Sequence, residues 1–146
     1  MKINVLIADD HALVRDGLCA ILDREADDIT VVGQAADGRD ALAQARQKNP
    51  DVVLMDIAMP VMNGIDAAAQ IRDQCPAVSV IMLSMHATSE HIYRSLQAGA
   101  RGYLLKDSAG AELVEAVRRV HGGARYLARA ISDTLIDGYL RDYCPI

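Results

Sequence analysis

"VVLMDIAMPVMNG", residues 52–64, runs four apolar residues into Asp56 and then into a stretch holding Pro60 and Gly64. Unbroken apolarity marks a strand covered on both faces, and the proline and glycine end it. The chain thus presents one carboxylate at the tip of a buried strand. Pro60 and Gly64 shape the loop that follows and start the next helix.

The same beat recurs on either side. "INVLIA" (3–8), "ITVVGQ" (29–34), "DVVLMD" (51–56), "VSVIMLS" (78–84) and "RGYLL" (101–105) are short aliphatic, β-branched runs. Between them Val14, Leu18, Ile21 and Leu22, and later Leu113, Val117 and Val120, recur three and four residues apart, the stripe of an amphipathic helix. This alternation predicts an α/β fold with a doubly wound, five-stranded parallel sheet, because parallel neighbours need a right-handed crossover that a helix supplies.

With 146 residues, 51% of them apolar, the chain has material for one domain core, expected over 1–122, and a tail over 123–146. The net charge of −5 and the lack of a Lys/Arg block argue against a nucleic-acid surface on this chain. Cys19, Cys75 and Cys144 are odd in number and far apart, which suggests neither a disulfide framework nor a thiolate zinc site. The opening apolar run is too short for a signal segment, and no later run is long enough to span a membrane. A soluble, cytoplasmic chain is expected.

Ligands of such sheets sit at the carboxyl ends of the strands. There the sequence puts Asp9 and Asp10 after the first strand, Asp56 after the third, Ser84 at the end of the fourth and Lys106 just past the fifth. Each alone reads as a helix cap or a solvated loop residue. Their coincidence at one sheet edge is the signal.

Carboxylates about 4 Å apart repel by roughly 4 kcal/mol per pair at an effective dielectric of about 20, so three of them sharing a pocket call for a cation. All-oxygen donors favour a hard ion such as Mg²⁺. With Lys106, a divalent ion balances the three carboxylates. If Asp56 attacks a phosphoryl group, its own charge is consumed in the acyl bond while the incoming oxygens bring about two more. Lys106, the Ser84 hydroxyl and Mg²⁺ would each face one of those oxygens. Asp56 therefore reads as a phosphoryl acceptor.

"LIADDHALVRDGL", "VLMDIAMPVMNGIDA" and "LSMHATSEHIYRSLQAGARGYLLKD" together strongly resemble the receiver domain of two-component response regulators, in the branch where a receiver precedes a LuxR-type helix-turn-helix (NarL/FixJ). The resemblance covers about residues 2–122 and implies a flavodoxin-like, (βα)5 receiver fold. It implies that Asp56 takes a phosphoryl group from a phosphohistidine of a sensor histidine kinase, while Asp9, Asp10, Asp56 and the Ala58 carbonyl hold Mg²⁺. It also implies that Ser84 and Tyr103 form a switch pair and that Lys106 binds phosphate. On this view a phosphoryl oxygen draws the Ser84 hydroxyl, the loop after the fourth strand follows, and the Tyr103 ring turns into the space. The responsive surface is the helix from about Thr88 to Ala98, the fifth strand and the helix from about Ala111 to His121. A homodimer on phosphorylation is expected, with DNA reached only through an output module that these residues do not contain.

Several positions depart from commoner receivers. Asp107 stands where many relatives carry proline, which leaves the loop geometry near the phosphate open. Ala58 and His86 sit where family members tune water access: small Ala58 leaves room for attack, and His86 either screens or orients water. Met85 is bulky for its position. His11, His86, His91 and His121 lack metal-ligand spacing and read as surface residues. In the tail, Leu127, Ile131, Leu135, Tyr139 and Tyr143 recur every four residues, with Gly138 interrupting the pattern. The stripe either packs back on the domain or forms a linker or dimerising arm.

Two rival functions are weaker. A phosphatase of the haloacid-dehalogenase type needs a second acid two residues after the nucleophile, where Ala58 stands. A flavodoxin-like electron carrier needs a phosphate-cradling loop after the first strand, where Asp9 and Asp10 repel the ligand.

Overall fold

The computed structural model describes residues 2–85 and 88–143, so His86 and Cys144 lie outside the described residues, as do the side chains of Tyr139 and Tyr143. In chain order the elements are β1 (Ile3–Ala8), α1 (Ala12–Glu25), β2 (Ile29–Ala35), α2 (Gly38–Lys48), β3 (Val52–Asp56), α3 (Gly64–Gln74), β4 (Ser79–Ser84), α4 (Ser89–Gln97), β5 (Gly102–Leu105), α5 (Ala109–His121), β6 (Tyr126–Leu127) and α6 (Arg129–Tyr143).

The strands lie in one sheet of order β2-β1-β3-β4-β5-β6, every pair parallel. Every residue of β3 is buried, as are all of β1 but Asn4 and all of β4 but half-covered Ser79, as unbroken apolar runs require of strands covered on both faces. Helices α1 and α5 pack together, and α2, α3 and α4 follow one another. The outer strand β2 is less buried and irregular: Val5 pairs with Val31 but Leu6 pairs with Gly33, so Val32 is bulged out. Lys48 Nζ donates to the Val32 carbonyl at 2.9 Å, so a bulge and a charge guard this edge against further strand pairing.

Side-chain caps set three helix starts. Asp37 accepts from the Asp40 N–H at 2.7 Å, Asn63 from the Asp66 N–H at 2.9 Å and Thr88 from the His91 N–H at 3.3 Å. The helix expected from Thr88 to Ala98 therefore runs between those two residues as its caps.

The sheet has one strand more than the five expected. After α5, Gly123 takes φ 97°, which a side chain would oppose, and the chain turns back so that Tyr126 and Leu127 pair with Gly102 and Tyr103. Leu127, expected on the tail helix, is thus in a strand, and α6 begins at Arg129. The tail packs on the domain: Ala128 and Ile131 are buried in the common core, and α6 lies beside α4. Among the described residues no helix is long and apolar enough to cross a membrane.

Candidate functional site

The strand order turns about the β1–β3 pair, and the crevice at the carboxyl ends of such neighbours is where open α/β sheets bind ligands. β1 delivers Asp9, β3 delivers Asp56 and β4 delivers Ser84, and all three are buried. Lys106 follows β5, held by its N–H donating to the Ser84 carbonyl at 2.9 Å. Its ammonium reaches across the sheet edge to Asp9 Oδ2 at 2.7 Å and Asp56 Oδ2 at 3.2 Å.

Asp9, Asp10 and Asp56 each offer a carboxylate oxygen, and His11 a ring nitrogen, within 4.8 Å of one another. Burial, then the Asp9 charge, pushes the Asp56 carboxyl up to about 6, against the opposing pull of Lys106 and of the Ala58 N–H bonded to it. Asp9 Oδ2 and Asp56 Oδ2 face the ammonium yet accept no well-directed hydrogen bond. Two buried, poorly satisfied carboxylate oxygens with a third carboxylate beside them fit a hard divalent cation.

A cavity of about 190 Å³ opens at this point, lined by Asp56, Ala58, Ser84, Met85 and Lys106 with His11 and His91 on its walls. A larger cavity, of about 290 Å³, lies elsewhere, among Arg72, Pro76, Val78, Arg101 and Arg125, with none of the acids. The loop between β3 and α3 fixes the floor. Gly64 N–H donates to the Ile57 carbonyl at 2.8 Å, and a Cβ on Gly64 would overlap the Asp56 carbonyl oxygen, so the helix start packs directly on the Asp56 backbone. Val61 takes φ 69°, with Met62 N–H donating to the Pro60 carbonyl at 2.7 Å, a strained three-residue turn for a β-branched residue.

Tyr103 on β5 is fully buried. Burial raises the phenol pKa, and the nearby Ser84 side chain opposes that rise. The ring lies in the interior, on β5 beside β4.

Sequence reasoning missed two residues. His11 is largely exposed, as expected, yet its Nδ1 lies 3.2 Å from Asp9 Oδ1 and 3.1 Å from Asp10 Oδ1, while its N–H donates to Asp9 Oδ1 at 2.8 Å. Its place directly after the Asp9–Asp10 pair was the available signal. His91 stands in the first turn of α4, half-buried, with Nδ1 3.0 Å from Thr88 Oγ1. Only the fold brings it to the cavity.

Residues 5–118 match the family described as response regulator receiver domain. The chain belongs to that family. This receiver is 45% identical over 135 residues to the transcriptional regulatory protein MctR of Rhizobium johnstonii, covering 92% of this chain and 63% of MctR. It is 39% identical over 123 residues to the response regulator VraR of Staphylococcus aureus, covering 84% of this chain and 58% of VraR. The receiver therefore spans less than two thirds of these relatives. Among solved structures it resembles a LuxR-family two-component response regulator from Aurantimonas sp. SI85-9A1, with TM-score 0.90 and 31% identity over 96% of this chain and 99% of that one. It also resembles the isolated receiver domain of RcsB from Salmonella enterica serovar Typhimurium in the presence of the phosphomimetic BeF₃⁻, with TM-score 0.84 and 26% identity over 92% of this chain and 99% of that one. Receivers of this family are phosphorylation-dependent signalling switches rather than conventional enzymes.

Proposed function

We propose that Asp56 is the phosphoryl acceptor of this receiver, supplied by a phosphohistidine of a sensor histidine kinase in the cytoplasm. The observation that carries this is the Lys106 ammonium held between Asp9 and Asp56 at the mouth of a cavity that Ser84 also lines. An Asp56 oxygen forms the new bond to phosphorus, the phosphorus–nitrogen bond to the imidazole breaks, and the departing ring keeps that electron pair and takes up a proton. Lys106 and the Ser84 hydroxyl are placed to receive two of the phosphoryl oxygens, so charge builds where donors already stand. Asp9, Asp10, Asp56 and the Ala58 carbonyl would hold Mg²⁺, which when bound neutralises charge on the transferring group. Ala58 leaves the acyl phosphate open to water on its side.

The switch follows from the pull of a phosphoryl oxygen on the Ser84 hydroxyl, strong because that oxygen is charged. Drawing Ser84 toward Asp56 shifts the start of α4 and alters the α4–β5–α5 face around Tyr103. That face, with a homodimer formed on phosphorylation, conveys the signal to a transcriptional output module beyond these residues, and DNA is reached through that module.

The test is incubation with Mg²⁺ and a small-molecule phosphodonor, followed by intact-mass measurement. One phosphoryl group is expected on the wild-type chain and none on Asp56→Asn. Equal labelling of the Asn variant would move the acceptor elsewhere.

A further inference from the structure

The α4–β5–α5 face is not bare. Outside β5 the chain lays down its own residues after the Gly122–Gly123 turn: Tyr126 N–H donates to the Arg101 carbonyl at 3.0 Å and Ala128 N–H to the Tyr103 carbonyl at 3.1 Å. On the α5 side, the Tyr126 hydroxyl donates to Glu112 Oε1 at 2.9 Å. On the α4 side, Gly138 is buried, and a Cβ there would meet Ser89 at 3.4 Å and the Tyr93 hydroxyl at 3.5 Å, in van der Waals contact. Ile131, fully buried, pins the start of α6 between these two attachments. The edge of β5 that another copy would need for pairing is thus already hydrogen-bonded.

We propose that residues 124–143 are a built-in occupant of the α4–β5–α5 face, closing it to a second copy of the chain, and that phosphorylation at Asp56 loosens this seat. Two contacts connect the seat to the site. Tyr103 gives its carbonyl to Ala128, and Lys106, directly after the same strand, reaches Asp56, so β5 touches both the site and the tail. Ser89 begins α4, and Gly138 packs against it. Displacement of the helix start therefore falls on this contact, while Tyr126 stays anchored to α5. Because coupling is reciprocal, weakening the seat also favours the phosphorylated arrangement.

This inference rests on the acceptor role of Asp56 only for its phosphorylation arm. The experiment uses these 146 residues with Gly138→Leu, whose side chain extends beyond the Cβ that would already touch Ser89 and Tyr93, and Tyr126→Phe, a milder change that removes only the bond to Glu112. Hydrogen exchange of the Ala128 amide and sedimentation equilibrium are measured with and without Mg²⁺ and beryllofluoride. Without beryllofluoride, exchange is expected to quicken about tenfold in Gly138→Leu and by less in Tyr126→Phe, with self-association strengthened in the same order. Beryllofluoride should quicken the same amide in the wild-type chain. Unchanged exchange and sedimentation in both variants would overturn the seat, and unchanged wild-type exchange on beryllofluoride binding would overturn its coupling to Asp56. Failure of the wild-type chain to take a phosphoryl group would instead overturn the functional reading, while the metal-free variants still decide the seat.

Discussion

Lys106 Nζ lies 3.2 Å from Asp56 Oδ2, with the two side chains only 9% and 5% exposed. An ammonium so placed supports two acids at once, since Asp9 Oδ2 is closer still. Lys106→Met leaves two buried carboxylates without their counter-charge, which costs about 3 kcal/mol of metal-free stability at neutral pH. Urea unfolding measures it. Added Mg²⁺ is expected to recover part of the loss, because it supplies positive charge to the same acids.

Asp56 gives the site a pH signature. Its carboxyl is raised from 3.8 to about 6, so the folded chain holds that proton more tightly than the unfolded chain does. Stability from this group is complete below the unfolded value, falls as pH rises through the interval and levels off above the folded value, for a total of about 3 kcal/mol. Asp56→Asn is therefore expected to lose this component of the pH dependence and to be more stable than the wild-type chain in metal-free buffer at about pH 8. Urea midpoints at about pH 5 and about pH 8 for both proteins check the sign.

Val61 stores strain beside the site. With φ 69° on an exposed β-branched residue, Val61→Gly relieves backbone strain of roughly 1–3 kcal/mol and loses under about 1 kcal/mol to added freedom in the unfolded chain. A net gain of about 1 kcal/mol in denaturant unfolding is the expected outcome. Destabilisation would mean that the valine side chain contributes more through its contacts than its backbone costs.

The core strands were legible because their two-sided burial writes itself as unbroken aliphatic runs ending in Asp9, Asp56 and Ser84. The fold then brings Asp56, Ser84 and Lys106 to one cavity, with Asp9 paired to the same Lys106. What stayed hidden had no periodic signal. β6 is two residues long, too short to show alternation, and it forms only because β5 leaves an edge free beside it. The four-residue spacing that began at Leu127 ran through this strand into α6, so pattern alone could not mark the break. His91 reaches the cavity through the placement of α4, and the inward position of Tyr103 depends on how β5 pairs with β4.

The central claim is that the acceptor is the Asp56 carboxylate. Borohydride reduces an acyl phosphate to an alcohol, so phosphorylated aspartate becomes homoserine, which peptide mass spectrometry places to a single residue. After treatment with phosphodonor and Mg²⁺, homoserine is expected at position 56 and nowhere else. Homoserine at Asp9 or Asp10, or a phosphate that survives borohydride, would contradict the account.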